Sequence, residues 1–212
     1  MSASGPAPLD DDARDMARTD AFSDGVIAIA ITLLAFQLRV PSFEQSAASN
    51  GLLRALLDQW PSYLAFFTSF LTIIIMWINH HRLFNLFRKA DQTLMIFNGL
   101  LLMGITVVPF TTELIASYLR ASNSQDVVVA AVIYSGWLLV IALFYQAIWR
   151  YASHERRLLR ASVTDAQVRQ INRQYRFGPP IYLAAVLIAL FSPLLSLLAT
   201  LGVALWFAIP PR

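Results

Sequence analysis

Cysteine is absent from the 212 residues, which excludes disulfides, thiolate nucleophiles and metal or iron-sulfur sites built on sulfur. Charge is scarce as well: Asp, Glu, Lys and Arg make up 14% of the chain, against about 25% in soluble domains. Hydrophobic residues fill 57% of it and the mean hydropathy is +0.57, so a soluble fold is set aside. No Gly-rich phosphate loop, dinucleotide fingerprint or Ser/His/Asp arrangement is present, and no enzymatic activity or cofactor is expected. A basic stretch leading into a cleavable apolar segment is missing too. Met1 to Pro8 are mostly small and run into Asp10, Asp11, Asp12 and Asp15, so no secretory signal peptide is expected. No internal repeat with a period of about 20 to 50 residues is visible.

What the chain does have is long apolar runs. They fall at Phe22 to Leu38, Trp60 to Asn79, Thr93 to Thr112 and Val127 to Trp149, each near the roughly 20 residues that cross a bilayer as helix. The last run, Phe177 to Ile209, is too long for one ordinary span and holds Ser192-Pro193 near its middle. Proline disfavours helix at the residue before it, so this run is read as two short helices. The fold class expected is an all-α integral membrane protein with six transmembrane helices, comprising a disordered cytoplasmic tail over residues 1–17 and a membrane domain over 18–212.

Orientation follows from the excess of Lys and Arg in cytoplasmic loops. With the N-terminus inside, six spans leave only Arg39, Arg54 and Arg120 on the outer side, while Arg212 and every other basic residue fall inside. Both termini are then cytoplasmic. The net charge of +3 needs no nucleic-acid partner, because loop placement accounts for it. Residues 151–176 form the only sizeable cytoplasmic loop, read as a solvated helical extension of the neighbouring spans or as an interfacial amphipathic helix. Trp60, Trp149 and Trp206 sit near span ends and are assigned to the aromatic belt. Gly99 and Gly104 are expected to let helices pack closely. Glu113, at the outer end of the third run, is expected to be solvated.

The juncture from Arg18 to Asp24 is the chief functional clue. A carboxylate in a membrane helix costs on the order of 2.5 to 3.5 kcal/mol at the bilayer centre and less near the interface, so it needs a partner or a role. The first helix leaves the cytoplasm at Phe22 and the second returns to it at Trp77-Ile78-Asn79-His80-His81, so Asp24 and His80 share a depth and are expected to meet, as a polar staple or as groups taking part in transport. His80 and His81 with Asp24 offer metal-ligand types, but adjacent histidines point about 100° apart, and no metal site is expected. On the same helix Ile29, Leu33 and Phe36 share a stripe with Thr32 beside it, and Asp24 projects to roughly the opposite side. Periodicity leaves open whether this stripe or that of Ile27, Ile31 and Leu34 faces a partner helix.

Arg18, Phe22, Ser23 and Asp24 opening the first helix, with Trp77, His80, Arg82, Leu83 and Phe84 at the end of the second, resemble the signature of the transmembrane-protein-175 family of potassium channels. The resemblance covers the six-helix layout. It implies a homotetramer, because the chain carries one six-helix repeat where animal lysosomal members carry two. It further implies a central pore lined by four first helices, without the Thr-Val-Gly-Tyr-Gly filter of ordinary potassium channels, which this sequence lacks. Ile29 maps to the main constriction, Leu33 and Phe36 to further layers, and Thr32 to a hydroxyl layer; Phe36 stands where Leu or Ile is the pattern. Arg18, Phe22, Ser23, Asp24, Trp77 and His80 would pack helices around the pore.

A ring of Ile side chains gives a narrow, dry constriction of the kind that gates by dewetting, with few oxygen ligands to reject sodium. The expectation is a leak-type, potassium-preferring channel of the plasma membrane, with other monovalent cations and protons as candidate permeants. The alternatives are a proton-coupled secondary transporter titrating Asp24 and His80, and a non-transporting membrane scaffold.

Overall fold

The computed structural model describes residues 11–119 and 124–208; Arg120, Arg212, Ile209 and the first ten residues lie outside them. Among the described residues the order is α1 (Asp11–Leu33, continued by a 3-10 turn at Leu34–Gln37), α2 (Phe43–Ala48), α3 (Leu52–Leu57), α4 (Trp60–Phe84), α5 (Gln92–Tyr118), α6 (Ser124–Ser153), α7 (Asp165–Ala189) and α8 (Pro193–Ala208). Local chemistry sets several of these boundaries. Asp91 caps α5 by accepting from the Leu94 amide at 2.9 Å, and Thr164 with Gln167 forms a reciprocal capping box at the start of α7. Pro61 sits in the first turn of α4, where its missing N–H costs nothing.

Among the described residues four helices are long and apolar enough to cross a membrane: α1 with its 3-10 turn, α4, α5 and α6. The chain is an all-helical membrane protein. The other two expected crossings differ in kind, because the first half of α7 is rich in arginine and α8 spans only 16 residues. The break between them falls at Ser192-Pro193 as read from proline. Residues 151–176 are in part a continuous extension: α7 begins at Asp165, and only a short segment with a 3-10 turn at His154–Arg156 separates it from α6.

The tail expected over residues 1–17 meets a helix from Asp11 onward. Asp11 and Asp12 lie in its first turn, where negative charge complements the helix dipole. Met16 is buried in the core, and Arg88 reaches Asp12 at 3.1 Å. The sequence reading also had no place for α2 and α3, which are six residues each.

α1 packs on α4 and α5, α5 on α6, α6 on α7, and α8 closes the bundle against α4 and α7. The α4–α5 and α6–α7 connections are tied together: the Arg88 amide donates to Leu158 O at 2.7 Å, and the Arg160 amide to Leu86 O at 2.9 Å. The basic connections therefore share one end of the bundle. Gly104 does admit a close neighbour, since a Cβ there would lie 3.1 Å from Ile141 Cγ1, whereas one on Gly99 would meet nothing within 4 Å. The aromatic-belt assignment fails for Trp149, which is fully buried with its indole N–H donating to Asn172 Oδ1 at 2.6 Å. A partner on α7, invisible to a count of span ends, holds it inside.

Candidate ion pathway and the polar clamp beside it

α1 has two faces with opposite fates. Ile27, Ala30 and Leu34 are buried against α4 and α5, while Phe22, Ile29, Leu33 and Phe36 are 66%, 60%, 41% and 81% exposed. The stripe left open by periodicity is thus resolved within one chain: the Ile27 and Leu34 side faces its own bundle, and the Ile29 side is uncovered. At 100° per residue the exposed side chains, with Thr32 at their edge, span an arc of about 100°. The Thr32 hydroxyl donates back to Ile29 O at 2.8 Å and, on an exposed residue, keeps its acceptor capacity. Beyond Leu33 the 3-10 turn ends at buried Gln37, whose amide donates to Pro109 O at 2.6 Å and ties the end of α1 to α5.

The polar groups of the juncture lie on the other side of α1, but their pairing differs from the expectation. Asp24 does not meet His80; the Trp77 indole N–H donates to Asp24 Oδ1 at 2.7 Å. His80 is fully buried, stacks on Phe84 with centroids 3.9 Å apart, and bonds through Nε2 to Asn98 Oδ1 at 2.9 Å. Asn98 in turn donates to Ser23 Oγ at 2.9 Å, and Ser23 donates to Thr19 O at 2.8 Å. The result is a chain of donors and acceptors running from α4 through α5 to α1, in which the Asn98 amide faces both neighbours. The carboxylate nearest His80 is that of Asp20, with Oδ1 3.8 Å from His80 Nδ1 and Oδ2 3.5 Å from His81 Nδ1. Asp20 Oδ1 and His80 Nδ1 are buried without a hydrogen bond.

Two expected members of this network stand apart from it. Phe22 lies on the exposed stripe with Ile29, and Arg18 makes no hydrogen bond or ion pair among the described residues; it lines an open recess with Asp15, Thr19, Phe22 and Asn98. Asn98 and Asp20, conversely, were not singled out from the sequence. Asn98 carried a signal, being an amide inside the Thr93 to Thr112 apolar run, where a polar side chain needs a partner. Glu113 is held rather than simply solvated, accepting from Arg39 and Ser117 at 3.0 Å each. Among the described residues no group of three or more His, Asp or Glu side chains is arranged to hold a metal ion.

Residues 18–109 match the family model described as endosomal/lysosomal potassium channel TMEM175. The chain is 44% identical to a potassium channel of Chamaesiphon minutus over 91% of its own length and 93% of the relative's. It is 39% identical to a potassium channel of Streptomyces collinus over 90% of each. Its fold is similar to the crystal structure of a lysosomal potassium-selective channel TMEM175 homolog from Chamaesiphon minutus, with a TM-score of 0.83, 42% identity, and coverage of 92% of this chain and 97% of that one.

Proposed function

Because this chain belongs to the TMEM175 family, we propose that four copies assemble around a central potassium pathway lined by the exposed stripe of α1. The chain is a potassium channel and not an enzyme. In this reading Ile29 forms the constriction, Leu33 and Phe36 the layers beyond it, and Thr32 contributes the hydroxyls beside it. Ser23, Asp24, Trp77 and His80 set the position of α1 inside the chain, and Arg18 and Phe22, on its uncovered side, do so between chains rather than bind the ion. The membrane is crossed six times, with α7 and α8 as the last two spans, both termini cytoplasmic and the plasma membrane as the site.

The observation that carries this reading is the division of α1 into a polar side bonded to its own bundle and an apolar side left uncovered. Asp24 is bonded to Trp77, and Ser23, Asn98 and His80 are bonded in series. A dehydrated ion would have to break these bonds to pass among them, at a cost of several kcal/mol. A path along the other side meets only Ile29 and its stripe, where a narrow apolar ring admits or excludes water as a column. The constriction holds few oxygen ligands, so the selectivity proposed is a preference for potassium, with other monovalent cations and protons as candidate minor permeants.

One observation favours a second reading. Asp20 Oδ1 and His80 Nδ1 face each other unpaired, as groups of a proton-coupled carrier would when poised to exchange a proton. Flux through proteoliposomes separates the two. A channel carries potassium down its gradient, with a reversal potential that follows the potassium ratio and a rate that does not saturate like a carrier's. Saturable flux coupled to counter-movement of protons would replace the channel reading, and no flux at all would leave a scaffold.

A further inference from the structure

One stripe of α7 carries two kinds of chemistry in series. Arg169, Arg173 and Arg176 lie within about 60° of one another at 100° per residue, and Pro180, Leu183 and Leu187 continue the same stripe toward the other end of the helix, all six within about 80°. All six are exposed, while Gly178, Tyr182, Ala185 and Ala189 face the bundle. The three guanidiniums make no hydrogen bond or ion pair among the described residues. Asp165, the acid on the same stripe, is already held by Arg156 at 2.7 Å. The helix lies on the side of the bundle away from the α1 face, packed on α6 and α8.

We propose that this stripe is a binding site for one anionic phospholipid, with the phosphate among the three arginines and an acyl chain along Pro180, Leu183 and Leu187. The proposal rests on the reading that the second half of α7 crosses the membrane. The dimensions fit: Arg176 to Leu187 covers about 16 Å of helix, against about 15 Å for one leaflet of the hydrocarbon core. The residue type fits as well, since guanidinium presents a fork of donors that matches phosphate oxygens two at a time. A free phosphate would leave the apolar half of the stripe unused. A second copy of the chain would bring like charge against like charge.

The test uses the full-length assembled protein in detergent, with phosphatidylglycerol titrated in and retained lipid read by native mass spectrometry. Each arginine replaced by Gln should weaken retention about fivefold and R169Q/R173Q/R176Q about a hundredfold. The control R14Q/K89Q/R157Q removes equal charge from the same end of the bundle and should change it less than threefold. Equal losses in the two triple variants would reduce the effect to diffuse surface charge and overturn the site. Competition by glycerol phosphate as strong as that by phosphatidylglycerol would make it an anion site without a lipid. Should the triple variant fail to assemble, R173Q alone must show the fivefold loss. The crossing itself is read separately with Leu187→Cys, in a chain that has no other cysteine. Shielding from impermeant maleimide on both sides of proteoliposomes is expected, and free labelling would remove the crossing whatever the lipid result.

Discussion

Asn98 is a single amide on which two buried groups depend. Its oxygen accepts a hydrogen bond from His80 Nε2–H and its nitrogen donates to Ser23 Oγ, with all three side chains at most 2% exposed. Asn98→Leu would leave the buried His80 Nε2 without its acceptor and Ser23 Oγ with only its bond to Thr19 O, and should destabilise the protein by about 1–3 kcal/mol. The check is the thermal midpoint of the detergent-purified protein, together with a cycle that adds His80→Phe. The second substitution should cost much less in the Asn98→Leu background than alone, because the orphaned imidazole is then gone; additive losses would contradict the chain of bonds. Trp77→Phe keeps the ring and removes only the indole N–H that reaches Asp24. Since Asp24 is only partly buried and can turn to water, the expected loss in the same measurement is smaller, about 1 kcal/mol. The existence of a polar clamp at this juncture was legible in the sequence from the cost of Asp24 in an apolar helix. Its partners were not, because depth alone cannot tell which of Trp77, His80 or Asn98 stands opposite a given side chain of α1.

At the scale of elements, helix spacing is decided by small residues that periodicity cannot rank. Gly99 and Gly104 look alike in the sequence, yet Gly104 sits where α5 meets α6 and Gly99 faces open space. Gly99→Ala should stabilise by up to about 1 kcal/mol through helix propensity. Gly104→Ala meets the buried Ile141 side chain at 3.1 Å, which offsets that gain. Its thermal midpoint should therefore fall below that of Gly99→Ala, and Gly104→Leu well below both. Equal midpoints for the two alanine variants would mean that α5 and α6 can separate freely at this point. Helix existence was legible for the four long apolar runs, and the break at Ser192-Pro193 was legible from proline. The start of α1 was missed because its first turns are polar and gain their order from Met16 packing and the Asp12–Arg88 contact. The reach of α7 back to Asp165 was ambiguous for a related reason. Its arginine-rich half reads as helical extension or as interfacial helix alike, and the Thr164 capping box with the Trp149–Asn172 bond marks it as the extension.

For the whole molecule, a single helix presents a bonded side to its own bundle and an uncovered apolar side outward, and the proposed ion path runs along the latter. The interior of the chain fixes α1 through a polar clamp at one end and Gln37 at the other, and the outward stripe is left uncovered. This account places the ion path between chains, so its most sensitive point is the side chain at the narrowest ring rather than any charged residue. Single-channel conductance of Ile29→Asn in planar bilayers tests that claim most directly. Four amides in place of four Ile side chains should keep the constriction wet. The account predicts a current several-fold higher than that of the unsubstituted protein, together with weakened discrimination between potassium and sodium in the reversal potential. Unchanged conductance and unchanged selectivity in a correctly assembled Ile29→Asn channel would take α1 out of the ion path.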